Sequence, residues 1–224
     1  MPCAHSEVRR SLNSDFVRLS TYITADDVRE MAPDAVIVAT GSLPRLDGRQ
    51  HLLPGFVSVG VERPQVISSH ELLMDRSNRN WGRHAVVFDD VGHYEGVAAA
   101  EFLAMNGVAV TFATSLSSFA PKLEASLSSE PALQRLAKKD FRLITYAKLV
   151  GVNERTASIA RRFGGAPEDV EADTVVLVSH NSSNRALLEE LSDYGKPVIG
   201  VGDARSPRFL QTAIREGHLA ARSL

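Results

Sequence analysis

Apolar residues fall in short blocks between polar, Gly- and Pro-bearing stretches, and one block organises the others. His84 to Ser115 has the pattern strand, loop, helix, strand. Ala85-Val86-Val87-Phe88 is an unbroken apolar run, as in a strand covered on both faces of a parallel sheet. Residues 89–96 form an acidic, Gly-containing loop. Residues 97–105, rich in Ala and Leu, suit a helix that Asn106-Gly107 stops, and residues 108–113 return to strand composition. Such a unit places a ligand at the helix N-terminus, where free N–H groups and the helix dipole favour phosphate.

Before this block, residues 16–19 alternate like a strand. Thr24 is placed to cap a short helix over 25–31, with Asp26 and Asp27 in its first turn, and Pro33-Asp34 breaks it. Residues 35–38 read as a buried strand ending in Ala39-Thr40-Gly41, small residues that let backbone pass close to another strand or to a cofactor. Residues 43–66 are loop-like, Ser69 caps a helix over 70–74, and the polar stretch 75–83 is the best domain boundary.

After it, the pattern predicts a helix over 130–139 and then a meander of strands with a hairpin turn at Asn153-Glu154-Arg155. A buried strand over 174–178, a helix over 184–191 and a strand ending in Gly202-Asp203 follow. Ser206 as cap and Pro207 as first helical position open a last helix over 208–222. Leu210, Ala213, Ile214, Gly217, Ala220 and Ala221 share one face of it, expected against the sheet.

Composition narrows the function classes. Twenty-five basic and 27 acidic residues give a net charge of −2, and the cations are scattered, so nucleic acid is not an expected partner. No apolar run reaches the roughly 18 residues of a membrane span, and the N-terminus lacks a secretory h-region. Cys3 is the only cysteine, so no internal disulfide or cysteine-held cluster can form, and the expected compartment is the cytoplasm. Asp89-Asp90 after a strand invites comparison with aspartate-nucleophile phosphatases. Those need acids at i and i+2, whereas adjacent acids on extended backbone diverge. His93 is a loop residue able to hydrogen-bond a ligand.

A strand ending ATG, a self-contained strand–helix–strand unit with a meander, and a strand ending GD before a helix make a specific order. The blocks Pro33 to Gly41, Gly96 to Leu103 and Gly200 to Arg208 with Gly217-His218 resemble the NADH:flavin oxidoreductase family of trimethylamine dehydrogenase and 2,4-dienoyl-CoA reductase, in its C-terminal dinucleotide-binding region. The resemblance implies an α/β fold in which a Rossmann-like NAD(P)-type domain (80–179) is inserted into a partial FAD/ADP-type α/β domain (1–79 and 180–224). It implies FAD or ADP, and NAD(P), as ligands of this region. FMN on a barrel and a 4Fe-4S cluster belong to upstream parts, which would be this chain's partners. The chain then reads as a fragment or truncated relative of a flavoenzyme, not catalytic by itself. The alternative is a non-catalytic Rossmann-type structural or regulatory module. The cofactor-binding candidates are Ala39, Thr40, Gly41, Gly92, Gly96, Gly202 and Asp203, with no catalytic or metal residue. At the central turn, Asp89-Asp90 stands where the motif has glycines, and Ala113-Thr114-Ser115 has neither an acid for a ribose diol nor an Arg for a 2′-phosphate.

Overall fold

Residues 17–75 and 79–224 are described in a computed structural model of the chain, so Cys3 and the residues up to Phe16 lie outside the described residues. The elements in order are α1 (Ala25–Met31), β1 (Val36–Val38), β2 (Ser42–Leu43), β3 (Val66–Ser68), α2 (Ser69–Met74), β4 (His84–Asp89), α3 (Tyr94–Met105) and β5 (Ala109–Thr114). Then come α4 (Ser129–Leu136), β6 (Phe141–Ile144), β7 (Ala147–Val152), β8 (Thr156–Arg161), β9 (Glu168–Glu171), β10 (Thr174–Val178), β11 (Ser182–Ser183), α5 (Ala186–Glu190), β12 (Val198–Gly200) and α6 (Leu210–Ser223).

The fold is mixed α/β around a parallel sheet of order β3-β10-β4-β5-β6. Both faces are covered, which explains the continuous apolar runs of β4 and β10. Val87, Val110, Phe112, Val176 and Val178 face the helical side with Leu72, Leu103 and Leu136. Val86, Phe88, Val175 and Leu177 face the antiparallel meander β7-β8-β9 through Leu149, Ala157 and Ile159. The chain leaves β4 towards β5 and β6 on one side and returns as β10 on the other. The β4–β10 seam is therefore a switch point, where open parallel sheets leave a crevice at the strand ends.

β3 pairs with β10 in this sheet, so the sheet reaches back across the polar stretch 75–83 at which the sequence suggests a boundary. The meander has a third strand, β9, that the pattern does not announce. Its residues, Glu-Asp-Val-Glu, are largely exposed at an edge, where hydrophobic alternation is not required.

A smaller lobe holds β1 and β12 as a two-stranded parallel sheet, in register Val36 with Val198 and Val38 with Gly200. Its core is modest: Ala25, Val28 and Leu191 with Val36, Leu187 and Tyr194 around them. α1 starts as expected, with Thr24 and Asp27 capping each other's backbone N–H. Ser68 and Glu71 do the same for α2, one residue before the expected cap.

Four expectations are corrected. Residues 17–19 are not a strand but an exposed stretch entering a turn. β1 is not buried on both faces, since Ile37 is 39% exposed. α6 starts at Leu210 with Phe209 as cap and no side-chain cap bond, so Ser206 and Pro207 lie before it. Its apolar face is only partly packed: Ala213 lies beside Gly202 and Ala220 is buried, but Leu210 and Ile214 are exposed and nothing approaches Gly217 within 4 Å of where a Cβ would stand.

Candidate functional site

Two pairs of parallel strand ends face each other. On one side β1 runs into Ala39-Thr40-Gly41 and β12 into Val201-Gly202-Asp203, tied by the Val201 N–H to Val38 carbonyl bond of 3.0 Å. Gly41 is at φ +76°, with open space where a Cβ would be. The glycine is therefore required by the backbone turn and not by close approach to another strand. Thr40 Oγ1 donates to the Asn184 carbonyl at 2.7 Å, and Ala39 is exposed. Gly202 is at φ +60°, and its N–H donates to Glu216 at 2.9 Å.

Asp203 joins the pieces. One carboxylate oxygen accepts from Ser42 Oγ at 3.1 Å, the other from the Arg208 N–H at 3.1 Å. Each oxygen keeps a second lone pair for another donor. Asp203 lines an open cleft of about 370 Å³ with His93, Lys122, Asn181, Arg208 and Phe209. The buried Asn181 Oδ1 has no hydrogen-bond partner among the described residues. The cleft thus presents a half-buried carboxylate with room for further donors, while the unpaired amide oxygen lies buried behind its wall. A ligand bearing hydroxyl groups supplies such donors, and Lys122 and Arg208 suit a negative charge.

On the other side of the cleft lies the turn between β4 and α3. Gly92 is at φ +73° and fully covered, with Leu116 and Pro121 where a Cβ would project. His93 caps α3 through its extended backbone, and its ring meets Tyr94 at 4.9 Å and Phe209 at 5.4 Å. This starts α3 at Tyr94, three residues before the expected start, with Glu95 in the first turn.

Asp89 and Asp90 diverge, as adjacent residues on a strand must. Asp89 is fully buried and accepts the N–H of Val91 at 2.9 Å and of Gly92 at 2.9 and 3.1 Å. Burial pushes its carboxyl up to about 6; the Gly92 and Val91 N–H groups pull it down, and Asp90 and Glu95 add to the rise. Asp90 accepts from Ser115 Oγ and from the His51 N–H. Ser115, at the position where a ribose-binding acid is absent, is thus a partner of Asp90.

A second cavity, about 500 Å³, adjoins the same seam and is lined by Arg45, Arg49, His51, Phe56, Asp90 and His180. The His51 and His180 rings are 4.6 Å apart. Burial, then the neighbouring His51, depresses the His180 pKa. Gln50 stands at its wall, with Nε2 donating to Leu149 and Ser58 and a buried, unpartnered Oε1. These residues come from loops with no periodic pattern, so nothing in the sequence singles them out.

The seven candidate residues form two groups. Ala39, Thr40, Gly41, Gly202 and Asp203 gather at the ends of β1 and β12, while Gly92 and Gly96 belong to the β4–α3 turn across the cleft. Among the described residues, no group of three or more metal-ligating side chains occurs, and no helix is long and apolar enough to cross a membrane.

No family model matches the chain. It is 30% identical over 167 residues to a probable N-methylproline demethylase of Rhizobium meliloti (strain 1021), covering 73% of this chain and 23% of that protein. It is 25% identical over 197 residues to an N,N-dimethylglycine/sarcosine dehydrogenase of Chromohalobacter salexigens, covering 80% of this chain and 26% of that protein. The chain therefore spans about a quarter of the length of these curated relatives. In fold it is similar to histamine dehydrogenase from Rhizobium sp. 4-9, with a TM-score of 0.84 at 23% identity over 91% of this chain and 32% of that one. It is also similar to a HOCl-induced flavoprotein disulfide reductase from Escherichia coli, with a TM-score of 0.60 at 16% identity over 85% of this chain and 44% of that one. The relatives are oxidoreductases, and the mixed α/β fold with its parallel sheet is one that flavoproteins share.

Proposed function

We propose that this chain is the nucleotide-binding region of a flavin-dependent oxidoreductase, with ADP or FAD held at the ends of β1 and β12. In this reading residues 80–179, with β3 and α2 packed onto them, are a Rossmann-like NAD(P)-type domain inserted between the remaining parts of 1–79 and 180–224, which form an FAD/ADP-type domain. FMN, an iron–sulfur cluster and the substrate site belong to other parts of a longer protein in the trimethylamine dehydrogenase and dienoyl-CoA reductase group, acting in the cytoplasm.

The observation that carries the reading is Asp203, a half-buried carboxylate with spare lone pairs in the 370 Å³ cleft at the ends of β1 and β12. A ribose or ribityl chain supplies hydroxyl donors to it, and Gly41 leaves its surface open. A bound flavin would supply the redox chemistry. The residues here bind and orient it: Asp203 through hydroxyls, Lys122 and Arg208 through charge. The bare apolar face of the smaller lobe supports the same reading. A two-stranded parallel sheet does not stand alone, and Ile37, Leu210 and Ile214 are a surface for further strands and helices of the same protein.

Titration calorimetry with ADP and FAD tests this. Saturable binding is expected, weakened at least about tenfold by Asp203→Ala, the loss of one charge-assisted hydrogen bond. Binding indifferent to Asp203→Ala would refute the site. The alternative, a non-catalytic Rossmann-type structural or regulatory module, has one observation in its favour. Backbone donors of both turns already have partners, Gly202 in Glu216 and Val91 and Gly92 in Asp89. It predicts no heat from ADP, FAD, NADH or NADPH.

A further inference from the structure

We infer that the Asp89 carboxylate occupies the place a dinucleotide pyrophosphate would take at the β4–α3 turn, so that this turn is closed to NAD(P) by the chain's own side chain. The inference rests on reading the unit as dinucleotide-type, and it goes beyond that reading by saying which ligand the turn already has.

A phosphate-binding turn works by presenting uncommitted N–H groups at a helix start to an anion that a glycine backbone lets approach. Here the N–H groups of Val91 and Gly92 point at an anion, and that anion is Asp89. Gly96 has the same explanation. A Cβ added there would lie 2.8 Å from Asp89 Cγ and 2.9 Å from its Oδ2, so the missing side chain makes room for the carboxylate.

Nor is space left on the other side. Gly92 is covered by Leu116 and Pro121, with added-Cβ distances of 2.4 and 3.0 Å. The charge at the turn is also acidic on balance, with Lys122, whose N–H donates to the Gly92 carbonyl, set against Asp89, Asp90 and Glu95. Asp90 and Glu95 flank the turn, and their close partners are Ser115, the His51 N–H, Ser69 and His70, none of them Lys or Arg. An incoming diphosphate would have to expel a buried carboxylate and then sit among three acids. Asp89 is thus a specificity-determining residue: it satisfies the turn and excludes the dinucleotide.

The test uses backbone amide NMR of the chain with NADH, NADPH and inorganic pyrophosphate. In the wild type, the Val91, Gly92 and Gly96 amides are expected to stay fixed up to about 1 mM of each probe, the millimolar range marking negligible affinity. The Val91 and Gly92 amides should instead shift together as Asp89 ionises with pH. Asp89→Gly, which empties the turn, should gain at least about tenfold in pyrophosphate affinity, about 1.4 kcal/mol. Saturable movement of Gly92 and Gly96 with NADH in the wild type would overturn the inference. So would a folded Asp89→Gly variant that gains nothing. Should that variant not fold, the wild-type spectra decide alone. ADP binding at the other lobe is read at Gly41 and Gly202, so failure of the proposed nucleotide site and failure of this inference are separate results.

Discussion

Asp89→Asn will gain stability relative to the wild type as pH rises from about 4 to 7, by roughly 2 kcal/mol. Burial raises this carboxyl to about 6 from an ordinary 3.8. Between those values the native state binds a proton that the unfolded state has released. The wild type therefore carries its full contribution from this group below pH 3.8 and loses it as pH rises through 6. The amide has no such loss. Its Oδ1 can accept the same Val91 and Gly92 N–H groups, and its extra N–H donors add an offset that does not vary with pH. Other carboxyls move oppositely: Asp173, held low by the Arg83 and His84 N–H groups, favours folding at higher pH. Only the difference between the two proteins isolates Asp89. Urea unfolding of both at pH 4, 5.5 and 7 checks it, and a difference constant across the series would contradict it.

Gly96→Val will cost about 3 kcal/mol, the upper part of the range for overpacking a core position. The Cβ alone would stand 2.8 Å from Asp89 Cγ, and Val adds two methyl groups at a buried position in the first turn of α3. Removing a glycine from a helix would ordinarily help by under about 1 kcal/mol, so the clash decides the sign. Asp89 can yield only by abandoning three short contacts to Val91 and Gly92. The two sites should therefore couple. In an Asp89→Gly background the same substitution should cost at least about 1 kcal/mol less, and costs additive to within about 0.5 kcal/mol would show that the side chains do not share the space.

How much of this was legible from the sequence depends on what each residue's role requires. β4, β5 and β10 are readable because strands buried on both faces leave an apolar run. α1 is readable because Thr24 and Asp27 have capping-box spacing. β9 is not, because an exposed edge strand places no demand on its side chains. The apolar stripe of α6 is present in the sequence, yet the described residues leave Leu210 and Ile214 bare. Periodicity announces a face and not its partner.

The turn was half legible. Asp89-Asp90 marks a departure from a phosphate-binding loop, and repulsion follows from charge alone. That Asp89 folds back onto its own turn, while Asp90 reaches Ser115 and His51, depends on side-chain direction and on residues far along the chain. The His51–His180 contact joins the loop before β3, held by the His51 N–H to Asp90 at the end of β4, to the loop after β10, which lies beside β4.

In the proposed reading two turns that face one cleft divide the labour, the β12 turn open to a nucleotide and the β4–α3 turn already filled. Addition of ADP to the isotope-labelled chain, followed through its glycine amides, tests this most directly. Saturable shifts are expected at Gly41 and Gly202, with Gly92 and Gly96 unmoved. Shifts at Gly92 and Gly96, with Gly41 and Gly202 silent, would contradict it.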